Sequence, residues 1–114
     1  MIRSLGYVTV PTPGTPVQAT SNFPNEALRL AAQAIVFQAL PGNAGLIYIG
    51  AKNMDKTTGA NVYGIIPAPT DATNGPFPSW SASVPVVAAG LSASEFYIDA
   101  GSANDGVVIS ITAG

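Results

Sequence analysis

Residues 33–50 read Gln-Ala-Ile-Val-Phe-Gln-Ala-Leu-Pro-Gly-Asn-Ala-Gly-Leu-Ile-Tyr-Ile-Gly. Two short runs rich in β-branched and aromatic residues flank a five-residue link, 41–45, that carries proline, asparagine and two glycines. β-Branched and aromatic side chains fit a pleated, half-buried surface, and glycine-bearing links of a few residues commonly reverse a strand. The stretch therefore predicts two strands, 33–40 and 46–50, paired as an antiparallel hairpin. Just upstream the preferences conflict, because the alanines, Leu28, Arg29 and Leu30 favour helix while Ile35-Val36-Phe37 favour strand. Asn25 stands where it would cap one or two helical turns, so the pattern leaves room for one short helix near residues 26–32.

The same grammar extends in both directions. Tyr7-Val8-Thr9-Val10 alternates and is stopped by Pro11, Pro13 and Gly14, which predicts a first short strand and leaves residues 1–6 as an arm. Residues 15–20 form a second strand candidate. Downstream, 52–60 reads as a polar loop, 61–66 alternates again, and 67–83 holds four prolines, Asn74-Gly75 and Trp80 in what reads as one long proline-rich loop. Strand candidates follow at 84–88, 95–100 and 106–112, the last with Val107, Ile109 and Ile111 on one face. Seven or eight short strands with frequent turns predict an all-β chain, a single β-sandwich or jelly-roll-like domain over residues 1–114. No fixed-period repeat or shift in composition divides it.

Composition supports this class. There are 12 glycines and 10 prolines in 114 residues, and hydrophobic residues make up 47%, enough apolar material for a core and too many breakers for long helices. Charged residues are only 9%, against about 25% in an average globular domain. With no cysteine and no histidine, disulfides, the usual structural zinc sites, thiol catalysis and histidine acid–base chemistry are excluded. Four basic residues against six acidic ones give a net charge of −2, so there is no basic stripe for phosphates and nucleic acid is not an expected partner. Neither a signal peptide nor a membrane span is expected, since no apolar run approaches the required length.

Several constellations carry groups capable of chemistry. Residues 99–106, Asp-Ala-Gly-Ser-Ala-Asn-Asp-Gly, present oxygen ligands but lack the EF-hand spacing, and a hairpin turn is the better account. Lys52, Asp55 and Lys56 read as a solvated turn. Glu95 and Asp99 share a strand parity, with Phe96 and Ile98 turned inward and the two acids turned to solvent rather than paired for catalysis. Gly42, Gly45 and Gly50 do not form a phosphate-binding loop and read as turn glycines. No catalytic, cofactor or metal residue is assigned. The loop residues Phe77 and Trp80 are the candidates for a partner contact, because large aromatic side chains on a proline-restricted loop bury area at low entropic cost; capping the domain's own core is the other role open to them.

Residues 38–50, Gln-Ala-Leu-Pro-Gly-Asn-Ala-Gly-Leu-Ile-Tyr-Ile-Gly, followed by Phe96-Tyr97-Ile98-Asp99 and Gly106-Val107-Val108-Ile109, resemble small structural proteins of tailed bacteriophages, nearest to capsid decoration or minor head proteins. The likeness spans residues 8–112 loosely; the alanine-rich stretch 27–34 and the loop 67–83 depart from it. The resemblance implies a β-sandwich on the capsid surface of a virion, made in the host cytoplasm. It also implies no enzymatic activity and no cofactor, with the major capsid protein or other virion proteins as partners and a homo-oligomer, a trimer above all. A tail or fibre module that binds a host-surface glycan is the alternative. The low charge agrees with an assembly protein, because interface cores are depleted in charged side chains.

Overall fold

Along residues 107–111 every second side chain is apolar and buried: Val107, Ile109 and Ile111, with Val108 and Ser110 half-exposed between them. That alternation makes one face of a strand worth burying and the other worth leaving in water. The computed structural model describes residues 2–19, 32–70, 73, 75, 77–83 and 95–113, and all regular structure among them is β. The strands are β1 (Ile2–Val10), β2 (Val17–Gln18), β3 (Ala32–Ala39), β4 (Ile47–Asp55), β5 (Ala60–Ile66), β6 (Ser79–Ser83), β7 (Tyr97–Ala100) and β8 (Asp105–Ala113). They form two four-stranded antiparallel sheets, one in the order β1-β8-β3-β6 and the other β2-β7-β4-β5.

The sheets lie face to face around one apolar core. The first contributes Val8, Val10, Ile35, Phe37, Ala39, Val107, Ile109 and Ile111, and the second Ile47, Ile49, Ile66, Ile98 and Ala100. All-β architecture is thus as expected, and Val107, Ile109 and Ile111, expected on one face of the last strand, all lie in the core.

The connections differ from the expectation. Strands β3 and β4 do not pair: β3 lies between β8 and β6 in one sheet, and β4 between β7 and β5 in the other. The 41–45 link is an arch from sheet to sheet, not a hairpin turn. The same correction applies at 101–104, because β7 and β8 also belong to opposite sheets. Turn-forming residues report that the chain reverses; both runs bury one face, and burying those faces against each other makes a sandwich rather than a ribbon. Among the described strands only β4 and β5 are consecutive partners, from Ile47↔Ile66 to Asp55↔Ala60 with two irregularities in register.

Three boundaries also move. Residues 2–6, read from sequence as an arm, belong to β1 and pair with β8, with a bulge between Ser4 and Gly6. Strand β4 continues through the polar 52–55 segment. The end of the presumed 67–83 loop is a strand, β6, paired with β3 from Ala34↔Ser83 to Gln38↔Ser79. The expected helix near 26–32 lies outside the described residues except for Ala32, which opens β3, and the 84–88 strand lies outside them altogether.

Candidate functional site

Trp80 sits on the inward face of the edge strand β6, opposite Phe37 in register. It is half-buried against the core. Its ring lies 5.9 Å from Phe37 and 6.2 Å from Phe96, centroid to centroid, and Phe96 in turn meets Phe37 at 5.6 Å and the edge of Tyr63 at 6.1 Å. Tilted and edge-on arrangements at these distances are the favoured geometry for aromatic pairs. The indole reaches across to the other sheet because β5 carries glycine at position 64; a Cβ there would fall inside the Trp80 ring. Trp80 therefore closes the β5–β6 side of the sandwich, which is the core-capping role. Phe77 lies three residues earlier, half-buried, with its carbonyl oxygen accepting from Gln38 Nε2 at 3.4 Å. The two aromatics proposed together from sequence thus occupy different settings, one closing the core and one on the segment that leads into β6.

Two carboxylates are buried, Asp105 in what reads from sequence as a hairpin turn and Asp99 on what reads as a solvent-facing side. Asp105 is 5% exposed. Its carboxylate accepts from the backbone N–H of Ala44 at 3.1 and 3.0 Å and of Gly45 at 2.8 Å. Asn43 answers from the other arch: its Nδ2 donates to the Gly106 carbonyl at 2.8 Å, and its Oδ1 accepts from the Gly106 N–H at 2.9 Å. The side-chain amide thereby prolongs the β3–β8 ladder past its last pair, Ala39↔Val107. Position 106 must be glycine, because a Cβ there would collide with the Val8 carbonyl on β1. The 41–45 and 101–104 arches are clasped to one another, and the oxygens that suggested a cation loop hold backbone amides instead.

Asp99 is 2% exposed, not turned to solvent as its parity with Glu95 suggested. It lies on the outward side of β7, but its Oδ1 accepts from Gly14 N–H at 2.9 Å and Ala100 N–H at 2.8 Å. A cleft of about 350 Å³ opens beside it, lined by Gly14, Met54, Asp55, Lys56, Thr57 and Asp99. Around this cleft Lys56 Nζ donates to the Ala100 carbonyl at 2.7 Å, and Asp55 Oδ1 accepts from Thr57 N–H at 2.8 Å. Each charged group is engaged with backbone. Among the described residues no cluster of three metal-ligating side chains occurs.

The sequence carried one readable hint of these buried carboxylates. Asp105 directly precedes a glycine inside an otherwise apolar strand, where a polar side chain needs an internal partner. Asp99 offered none, since its partner Gly14 is 85 residues away. No helix among the described residues is long and apolar enough to cross a membrane. A scan of family models gave no match to this chain, and neither did comparisons with curated proteins and with solved structures.

Proposed function

We propose that this chain is a non-enzymatic structural protein of a phage particle, decorating or reinforcing the capsid through contacts with the major capsid protein or other virion proteins. One observation carries the non-enzymatic part: the buried carboxylates Asp99 and Asp105 and the ammonium of Lys56 all bind backbone groups, those of Gly14, Ala44 and Gly45 in connecting segments and that of Ala100 at the end of β7. Charged groups arranged this way stiffen the arches between sheets. An activated nucleophile paired with a base is recognised instead by two side chains within hydrogen-bond reach of each other. The placement on a phage particle is supported by the resemblance of residues 38–50, 96–99 and 106–109 to small virion proteins. Phe77 remains the proposed shell contact from the aromatic pair, with Trp80 reassigned to the sandwich edge.

A tail or fibre module binding a host glycan is the second reading, favoured by the ring of Tyr63, 55% exposed beside the aromatic edge. Electron cryo-microscopy of the purified virion tests both. Density for a domain of this size on the shell is expected. Density at the tail instead selects the second reading, and absence of the chain from the particle overturns both.

A further inference from the structure

Asp105-Gly106 is the one Asp-Gly pair in the chain. In a free peptide such a pair rearranges, because glycine has no side chain to hinder attack of its nitrogen on the aspartate side-chain carbon. A nitrogen–carbon bond forms, and the nitrogen's proton, a solvent proton and one carboxylate oxygen leave as water, closing a succinimide ring. Water then reopens the ring, and attack at the main-chain carbonyl leaves the backbone running through the side chain as isoaspartate, with no net change of mass. Here the fold depends on both residues of the pair. The Asp105 carboxylate takes the N–H groups of Ala44 and Gly45, and the Val8 carbonyl of β1 leaves no room for a side chain at position 106. The joint between the two arches is thus built on the dipeptide most prone to this rearrangement.

We propose that Asp105-Gly106 is a latent isoaspartate site and that Asn43 is the residue that keeps it closed. Ring closure requires the Gly106 nitrogen to give up its proton, the Asp105 side-chain carbon to swing onto it, and the peptide to leave its strand conformation. The clasp withholds all three. The Gly106 N–H is donated to Asn43 Oδ1 at 2.9 Å, beneath a side chain that is 8% exposed, and a buried, hydrogen-bonded amide meets solvent base only when the structure opens locally. The carboxylate is held against the 41–45 arch by the Ala44 and Gly45 amides. The Gly106 carbonyl accepts from Asn43 Nδ2 at 2.8 Å and from the Leu40 N–H at 3.2 Å, while β1 pairs along the other edge at Thr9↔Gly106. The β3–β8 ladder ends at Ala39↔Val107, so at Gly106 the carboxamide of Asn43 supplies the donor and the acceptor that a further strand residue would have supplied.

This inference is independent of the particle reading, because its test uses the isolated full chain. The chain is held for weeks at neutral pH and then digested with an Asp-specific protease, which cuts before Asp105 but not before isoaspartate, and mass spectrometry counts the two products. Wild type in urea is expected to isomerise at this pair, and folded wild type to stay closed. Asn43→Ala is expected to isomerise at least about tenfold faster than folded wild type, because it removes two hydrogen bonds that oppose local opening. Asp99→Ala, which weakens the fold over the second sheet, is expected to leave the pair closed. Equal acceleration in Asp99→Ala would trace the protection to overall stability and overturn the role of Asn43. An Asn43→Ala chain as slow as wild type, a folded wild type as fast as the chain in urea, or a chain that stays intact in urea overturns it as well. Should Asn43→Ala fail to fold, hydrogen exchange at the Gly106 amide of wild type decides: protection like that of the β3–β8 ladder supports the guard, and exchange at the free-peptide rate overturns it.

Discussion

The outer faces of the two four-stranded sheets both expose apolar side chains, Tyr7 and Val36 on the first and Tyr63 and Ile65 on the second, but among the described residues only the second has loops clasped over it. On the second sheet the chain folds its own loops back, burying Met54 and tying Gly14 and Lys56 to β7. On the first sheet it leaves Tyr7 and Val36 exposed on an uncharged surface. Polar groups brought in over the second sheet had to find partners there, because an unsatisfied buried donor or acceptor costs more than a made bond returns. Asp99 is consequently locked onto backbone amides. The first sheet's hydroxyls need no internal partner while they face water.

This contrast predicts a graded set of stability effects, measurable by denaturant unfolding. The largest falls between the faces: Trp80→Ala removes the side chain that seats on Gly64 and touches Phe37 and Phe96, and is expected to cost about 3 kcal/mol, at the lower end for a large aromatic because the ring is only half-buried. Phe77→Ala, by contrast, is expected to stay below about 1 kcal/mol, and an equal loss at both positions would dissolve the distinction between closing side chain and free anchor.

On the covered face, Asp99→Ala strands the N–H groups of Gly14 and Ala100 and should cost about 2 kcal/mol. Lys56→Ala loses one charged hydrogen bond to the Ala100 carbonyl, a part-exposed contact worth about 1 kcal/mol or less. On the bare face, Ser81→Ala should change stability by no more than about 0.5 kcal/mol. If the bare-face change rivalled the Asp99 change, the first sheet would be serving the fold and the contrast would fail.

Much of the fold is legible in the sequence because burial of one face imprints a period of two. Val107, Ile109 and Ile111 on β8 share one face by alternation alone, and the short apolar run around Ile35-Val36-Phe37 marks β3 as a buried strand. What alternation does not encode is which strand lies beside which. The residues 41–45 have the chemistry of a reversal whether the next strand joins the same sheet or the opposite one, and the choice is fixed by Asn43 meeting Gly106, 63 residues on. Trp80 was misplaced for a related reason. Its prolines and neighbours describe a loop, while its position is set by the missing side chain at Gly64 on another strand. Buried carboxylates were the least legible, since Asp99 and Asp105 differ from exposed aspartates only in distant partners. The uncharged surface, in contrast, was visible at once in a charged fraction of 9%, though not which face carries it.

The direct test of the two-face account is native-state hydrogen exchange at the Gly14 amide, which donates to Asp99 Oδ1 at 2.9 Å over the second sheet. The account predicts slow exchange at Gly14 in the wild-type chain and fast exchange in Asp99→Ala, with the β3–β8 ladder still protected. Fast exchange at Gly14 in the wild-type chain, or undiminished protection in Asp99→Ala, would contradict it.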